Sequence, residues 1–274
     1  MTEKKNIDLL GIGNAITDIL VKVDYNFLEK MKLNIGAMQL TDYETINKTI
    51  NLFKDTKVSA GGSVANTISM VANLGNRCAF IGRRKNDTQG KLFSESMSSS
   101  NVLLPNSEVE FGKASSTCLV MITPNGERTM LTYLGASTNL TEEDVDLGLI
   151  ENSKIVYLEG YLFDLPEAKK LFFTLADKQE ELGFEFALSL SDPFCVTRHK
   201  EDFLKLLDKK VKIVFSNQEE IETLFSCTVE KALINSSDKI LINISTLGVK
   251  GAMVYSNGNL IKKNSFSVEV KDTT

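Results

Sequence analysis

The chain has 274 residues, 42% of them hydrophobic and 24% charged, which is enough length and apolar content to bury a full core. Its 31 basic and 36 acidic side chains give a net charge of −5, which argues against a protein that binds nucleic acid or a membrane surface. No apolar run approaches the roughly 20 residues of a membrane span. The four cysteines form no C-x-x-C pair, which indicates free thiols and a cytoplasmic location.

The only histidine, His199, limits the chemistry available to the chain. Metal sites built on several histidines are excluded, and a Ser-His-Asp triad would have to use this residue. It lies in a run of polar residues over 198–202, so we predict a surface position.

The N-terminal third predicts alternating strands and helices. The apolar run 7–12 predicts a strand that leads to Gly13, Asn14 and Asp18. Residues 19–24 alternate like a strand, and Ile16 occupies the third glycine position of a dinucleotide-binding motif, so an NAD-dependent oxidoreductase is disfavoured. Further strands are predicted over 36–40 and 77–82, and helices over 25–33, 41–53, 63–74 and 88–100, with Thr41 and Glu44 forming a capping box.

The stretch 59–67 contains the turn Gly61-Gly62, directly before the helix predicted over 63–74. Two glycines allow a close approach of the backbone to a ligand, and Ser63 is a suitable N-cap. Asn66 then lies in the first turn, where unpaired amide donors suit a polyhydroxyl or anionic ligand. The alternative is an ordinary loop that enters a helix.

The middle of the chain predicts a small second sheet. Runs over 116–123 and 127–134 are joined by Pro124-Asn125-Gly126, which is typical of a compact hairpin. Together with 21–23 and 36–40 they predict a β lid, formed discontinuously by about 18–24, 36–40 and 115–135 within a single domain over 1–274.

The second half returns to strand and helix alternation, which predicts parallel βαβ units and a doubly wound α/β fold. Strands are predicted over 155–158, 184–190, 211–215, 240–244 and 265–270, a hairpin over 253–261, and helices over 165–182, 200–207 and after 217. The last strands are followed only by Asp272-Thr273-Thr274, so we expect one face of them to be thinly covered.

Two polar motifs follow predicted strands of this half. Asn217 and Glu220 form either a helix capping box or, at the carboxyl end of a strand, a site where the carboxylate holds Mg²⁺ through water. Thr246, Gly248 and Gly251 form either a plain turn or a turn whose backbone borders a nucleotide. Their spacing differs from that of a Walker P-loop.

These motifs, taken in order, resemble the PfkB (ribokinase-like) carbohydrate and nucleoside kinases. The resemblance covers nearly the whole chain and rests on Gly61-Gly62 with Asn66, Phe80-Ile81-Gly82 with Asp87 and Gly90, Asn217 with Glu220, Thr246-Leu247-Gly248 with Gly251, and Asp272-Thr273-Thr274. Gly13-Asn14 with Asp18, and the run 188–194, look most like the adenosine kinase branch.

The resemblance implies ATP-dependent phosphoryl transfer to a primary hydroxyl of a nucleoside or sugar, with Mg²⁺ as cofactor and a monovalent cation as a further candidate. It places the substrate at Asn14, Asp18, Gly61, Gly62 and Asn66. It places ATP at Asn217, Thr246, Gly248 and Gly251, and Mg²⁺ near Glu220 through water. Arg128, on the lid hairpin, is a candidate stabiliser of the transferring phosphoryl group or else a solvated strand arginine.

The sequence departs from this family at its end. The family's Asp-Thr-Thr segment continues into Gly-Ala-Gly-Asp, which supplies an anion hole and the catalytic aspartate, and this sequence stops at Thr274. We therefore expect an incomplete fold without measurable turnover. A ribokinase- or fructokinase-type sugar kinase and a non-catalytic nucleoside- or sugar-binding protein are the alternatives, and the chain is expected to be a monomer or a homodimer that pairs through the lid.

Overall fold

Two β-sheets and nine α-helices make up the part of the chain that the computed structural model describes, residues 5–209 and 211–267. The strands are β1 (Ile7–Ile12), β2 (Ile16–Lys22), β3 (Met38–Leu40), β4 (Lys57–Gly61), β5 (Cys78–Ile81), β6 (Val102–Leu103), β7 (Ser116–Ile122), β8 (Arg128–Tyr133), β9 (Ser153–Glu159), β10 (Glu185–Ser189), β11 (Ile213–Asn217), β12 (Ile242–Thr246), β13 (Ala252–Ser256) and β14 (Asn259–Lys263). The α-helices are α1 (Tyr25–Lys30), α2 (Tyr43–Ile50), α3 (Ser63–Asn73), α4 (Thr88–Ser99), α5 (Leu147–Glu151), α6 (Pro166–Leu182), α7 (Pro193–Leu207), α8 (Gln218–Phe225) and α9 (Val229–Asn235). In this part of the chain, none of the helices has the length and apolar character needed to cross a membrane.

The larger sheet has the strand order β14-β13-β12-β11-β10-β9-β1-β5-β6, and only the pairs formed by β13 are antiparallel. From β1 the chain proceeds outward to β5 and β6, returns to β9 on the other side of β1, and continues to β12. The direction of winding therefore reverses between β1 and β9. In sheets of this type, ligands bind beyond the carboxyl ends of the strands at such a reversal.

Helices cover both faces of this sheet, so the predicted doubly wound α/β fold is confirmed. Alternate residues of a strand face opposite sides, and Leu10 and Ile12 pack into a core shared with α6, α7, α8 and α9. On the opposite face, Phe80 packs against residues of α3 and α4. Beyond α3, that second face has an open groove where Ile213 and Phe215 are partly exposed.

The smaller sheet has the strand order β3-β8-β7-β2-β4. Its outer face packs on α1 and α2 through a core that includes Ile19, Leu28 and Leu119. The segments predicted to form a lid supply β2, β3, β7 and β8, whereas β4 was not predicted, because Lys57–Gly61 is short and Val58 is its only β-branched residue. Their action as a lid, and the single-domain organisation, stay predictions.

Several local predictions were wrong in detail. Gly62, not Ser63, is the N-cap residue of α3, and Asp42, not Thr41, caps α2 by accepting from the Thr45 amide. Helix α7 begins at Pro193, seven residues before the predicted start, because Asp192 caps it. Of the strand predicted over 265–270, residues 265–267 are irregular, and 268–274, with Asp272-Thr273-Thr274, lie outside the described residues.

The aromatic centre of the larger core gives a stability prediction. Phe203 is fully buried and its ring stacks on Phe163 with centroids 4.2 Å apart. Because the Phe203→Ala substitution leaves a cavity, we expect it to lower the free energy of unfolding by about 3–5 kcal/mol in a urea titration. Phe111→Ala, at a position that is 89% exposed, should change it by less than about 0.5 kcal/mol. A cost below about 1 kcal/mol for Phe203→Ala would contradict this packing.

Candidate active site at the winding reversal

A cavity of about 490 Å³ lies between the inner face of the smaller sheet and the carboxyl ends of β1 and β9. Of the residues predicted to bind substrate, Asn14, Asp18, Gly62 and Asn66 line it, and so does Arg128. They come from four separate segments of the chain. The fold therefore brings together residues that the sequence spreads over more than 110 positions.

Strand register explains how the smaller sheet contributes to this cavity. Asp18 is level with Cys118 on β7, Cys118 with Thr132 on β8, and Thr132 with Leu40 on β3. Residues that are level in adjacent strands point to the same face. All four side chains consequently line the cavity as one row across the sheet.

Asp18 is packed closely against the glycine turn. On β4, Gly61 is level with Ile16, two residues before Asp18, and any side chain at position 61 would overlap the Asp18 carboxyl group. Burial raises the pKa of Asp18 to about 6, although the positive charge of Arg128 acts in the opposite direction. The cavity thus holds a carboxylate that accepts a proton only slightly below neutral pH.

Gly62 is required for a different reason. Its φ of 101° lies in a region that L-residues avoid, and a side chain there would overlap the carbonyl oxygen of Asn14. From this turn the Gly62 carbonyl accepts the Asn66 amide at 2.9 Å, which begins α3. The groups that approach Gly61 and Gly62 closely are therefore Asp18 and Asn14 of the protein itself, whereas the prediction was of a close approach to a ligand.

Glu159, the last residue of β9, was missed by the sequence analysis. It is 1% exposed, and one carboxylate oxygen accepts from the Asn14 backbone N at 2.6 Å and from Asn14 Nδ2 at 2.9 Å. The other oxygen accepts from Ser63 N at 3.2 Å and from Ser63 Oγ at 2.5 Å. Burial raises the pKa of Glu159, and these donors partly offset the rise. The signal was a charged residue at the end of the apolar run 155–158.

One end of the cavity has a charged rim. Asp164 accepts from Arg198 Nε at 3.1 Å and from a terminal nitrogen at 2.7 Å, and its Oδ1 lies 2.7 Å from His199 Nε2. The His199 side chain is 17% exposed and packs near Phe163, so it is half-buried beside the exposed Asp164 carboxylate rather than fully solvated.

Part of the cavity wall is apolar. Leu40, Met130 and Leu134 contribute from the smaller sheet and the residue that follows it, and Phe194 from the first turn of α7. Phe194 is 74% exposed although it lines the cavity. An exposed aromatic ring beside a polar floor offers a surface on which a flat ring of a ligand can stack.

The second set of predicted residues lies further along the same edge of the larger sheet. Asn217 ends β11 level with Thr246, the last residue of β12. Adjacent strands are roughly 4.8 Å apart, so these positions are roughly 10 and 14 Å along the edge from the end of β9. They do not line the cavity.

Asn217 and Glu220 form the predicted capping box of α8. The Asn217 amide donates to Glu220 at 2.9 Å, Nδ2 donates to the other carboxylate oxygen at 2.6 Å, and the Glu220 amide donates to Asn217 Oδ1 at 2.8 Å. Glu220 is 5% exposed, and burial raises its pKa, with Asp192 and Glu219 adding to the rise.

The Glu220 carboxylate and its acidic neighbours fit a hydrated magnesium ion. Carboxylates crowded enough to raise one another's pKa favour a nearby cation, and Mg²⁺ keeps several waters when it binds carboxylates and phosphates. Among the residues that the structure describes, no group of three or more His, Cys, Asp or Glu side chains could hold a metal directly. Glu220 therefore fits contact through water rather than a protein cage.

Gly248 and Gly251, the glycines of the predicted nucleotide-binding turn, differ in their structural roles. Both have positive φ, 57° at Gly248 and 93° at Gly251. A side chain at Gly251 would overlap the Lys263 carbonyl, so the hairpin of β13 and β14 requires this glycine. A side chain at Gly248 would meet open space. Gly248 is therefore the one whose backbone stays accessible to a ligand.

A doubly wound sheet with a polar cavity at its winding reversal, and a second polar site along the same edge, fits a kinase that brings two substrates together. The model of the pfkB family of carbohydrate kinases matches residues 32–274, and this chain belongs to that family. It is an enzyme of the carbohydrate and nucleoside kinase class.

Individual relatives agree with this assignment. The crystal structure of adenosine kinase from Sinorhizobium meliloti is 33% identical, with a TM-score of 0.89 over 98% of this chain and 83% of that chain. A probable sugar kinase from Rhizobium etli CFN 42 gives the same values. Adenosine kinase 2 of Arabidopsis thaliana is 26% identical over 99% of this chain and 80% of its own length. The predicted fold and family are thereby confirmed.

The raised pKa of Asp18 predicts a pH dependence of stability. Between pH 4 and 6 the folded state holds a proton on Asp18 that the unfolded chain has lost, so this group makes stability fall as the pH rises through that window. The loss amounts to about 3 kcal/mol for a shift of this size. In urea titrations at pH 4 and 7, Asp18→Asn should therefore gain stability relative to wild type only at pH 7. Equal differences at both pH values would contradict a buried carboxyl group.

Proposed function

We propose that this chain binds adenosine in the cavity and ATP with Mg²⁺ along the adjacent sheet edge, for transfer of the γ-phosphoryl group to the primary hydroxyl of the nucleoside. The observation that carries the proposal is the convergence of Asp18, Asn66 and Arg128 in one cavity with an aromatic wall. A cytoplasmic setting fits the four cysteines, which are all unpaired.

The polar floor suits the sugar of a nucleoside. An ionised Asp18 accepts hydrogen bonds from two vicinal hydroxyls, and Asn66 offers both a donor and an acceptor at the first turn of α3. Arg128 then supplies positive charge where a phosphoryl group would develop negative charge in transfer. These roles extend the roles implied by the sequence resemblance.

The apolar wall favours a nucleoside over a free sugar. Leu40, Leu134 and Phe194 present hydrocarbon and aromatic surface that a free ribose or fructose would leave uncovered. A purine base would cover this surface while its ribose stays on the floor. The names of two similar proteins, adenosine kinase and probable sugar kinase, leave both substrate types to be tested.

In the phosphoryl step, Mg²⁺ would neutralise charge on the ATP phosphates when bound. Glu220 would hold its hydration shell, and Thr246 and Gly248 would border the nucleotide from the next strand. The resemblance assigns the proton acceptor to an aspartate of a Gly-Ala-Gly-Asp motif, which these 274 residues do not contain. Binding of adenosine and of ATP is therefore the direct test of the proposal.

Calorimetry with adenosine, ribose and fructose tests the substrate. We expect adenosine to bind most tightly, and Asp18→Asn and Phe194→Ala each to weaken its binding about tenfold or more, since one removes a charged acceptor and the other a stacking surface. Phe111→Ala, a substitution at an exposed phenylalanine that does not line the cavity, is the matched control and should bind like wild type. Tighter binding of ribose or fructose would point to a sugar kinase, and no binding of any of the three would overturn the proposal.

Glu220→Gln tests the magnesium role separately from helix capping. Glutamine keeps one oxygen for the Asn217 amide but brings its NH2 group to Asn217 Nδ2, so the free energy of unfolding should fall by about 1–3 kcal/mol. Without the carboxylate charge, the increase in ATP affinity on adding Mg²⁺ should fall about tenfold. Glu230→Gln, at an exposed position of α9 outside the capping box, should keep the wild-type magnesium dependence. An unchanged dependence in Glu220→Gln would assign Glu220 to capping alone.

A further inference from the structure

We infer that Glu159 is a positioning residue that fixes the direction of the Asn14 side-chain amide, so that Asn14 presents its oxygen, not its nitrogen, to the ligand. The inference rests on the proposed function for the identity of that ligand. Glu159 acts through Asn14 and Ser63 and makes no contact of its own with the ligand hydroxyls.

The first step is the hydrogen-bond capacity of Glu159. An ionised carboxylate only accepts, and it has about four lone-pair sites. All four are taken by protein donors, two from Asn14 and two from Ser63. Although Glu159 lines the cavity, little capacity is left for a substrate hydroxyl.

The second step is the amide of Asn14. A side-chain amide has one donating and one accepting end, and only the donating end can face a carboxylate. Nδ2 lies 2.9 Å from the Glu159 carboxylate, so Oδ1 is turned away from it. Asn14 lines the cavity, and none of the described residues donates to its Oδ1. This oxygen is therefore available to accept from a hydroxyl or N–H group of the ligand.

The third step is the rigidity of the surroundings. The Asn14 carbonyl lies so close to Gly62 that no side chain fits there, and a side chain at Gly13 would approach a Glu159 oxygen to 2.9 Å. The Ser63 amide at the start of α3 has no partner within the helix. It donates to Glu159 instead of to a local cap. Rotation of Glu159 would thus disturb both turns, and Asn14 has a single favourable orientation.

Glu159→Gln tests the inference because glutamine keeps the shape but can donate as well as accept. Adenosine affinity, measured by calorimetry, should fall about tenfold or more. In the Asn14→Ala background the same substitution should cost less than about threefold, because the residue that it positions is gone. If Glu159→Gln weakens adenosine binding by the same factor in the Asn14→Ala background as in wild type, Glu159 has a purely structural role and the inference is overturned.

Glu108→Gln is the matched control. Glu108 accepts from Ser94 Oγ at 2.6 Å and pairs with the buried Arg84, but does not line the cavity. This variant should bind adenosine like wild type even where its melting temperature falls. A tenfold loss here would show that removing any such carboxylate weakens binding, and would overturn the assignment to Glu159.

A second readout needs no ligand and so separates this inference from the proposed function. In the ligand-free protein, NMR should show slow exchange of the Asn14 side-chain amide protons, because a buried carboxylate holds one of them. The protection should be lost in Glu159→Gln and kept in Glu108→Gln. Fast exchange in wild type would overturn the inference even if adenosine binds. Protection without adenosine binding would leave the positioning role standing and overturn the proposed ligand.

Discussion

The buried carboxylate of Glu159 is the interaction on which the active-site geometry depends. It ends β9 and bonds to the turn after β1 and to the first residue of α3. These three segments meet where the sheet reverses its winding, a place where backbone donors are left unpaired by the ends of strands and helices. One carboxylate satisfies them together. An apolar residue at position 159 would leave the Asn14 and Ser63 amides without these acceptors in a largely buried site.

The same edge of the sheet carries a surplus of negative charge. Burial raises the pKa of the Tyr161 hydroxyl, and the charges of Asp192, Glu159 and Glu220 add to the rise, so all three carboxylates act on that side chain. The surplus does not favour folding, because burial of each carboxylate opposes ionisation. It does favour a ligand that brings a cation. An ATP–magnesium complex, which we propose binds along this edge, would supply that cation.

The sequence predicted those parts of the molecule that depend on local chemistry. The Asn217 and Glu220 capping box involves residues three positions apart, and it forms as predicted. Gly62 has the positive φ that glycine permits, so the turn into α3 forms as predicted, although Gly61 belongs to β4. The predictions failed where a residue distant in the sequence, not a neighbouring one, supplies the hydrogen-bond partner. Ser63 was expected to cap its own helix, but its hydroxyl donates to Glu159, 96 positions away.

The position of Glu159 explains why such groups escape a sequence analysis. Within its segment it is only a charged residue after four apolar ones, which is also the pattern of a solvent-exposed strand end. Its partners become apparent only when parallel pairing places β9 beside β1, with Leu158 level with Ile12. That pairing brings the next residues, Glu159 and Gly13, to the same edge, where a side chain at Gly13 would approach the carboxylate. The missing side chain at Gly13 and the charge at Glu159 therefore form one feature of the site, although the two residues are 146 positions apart in the sequence.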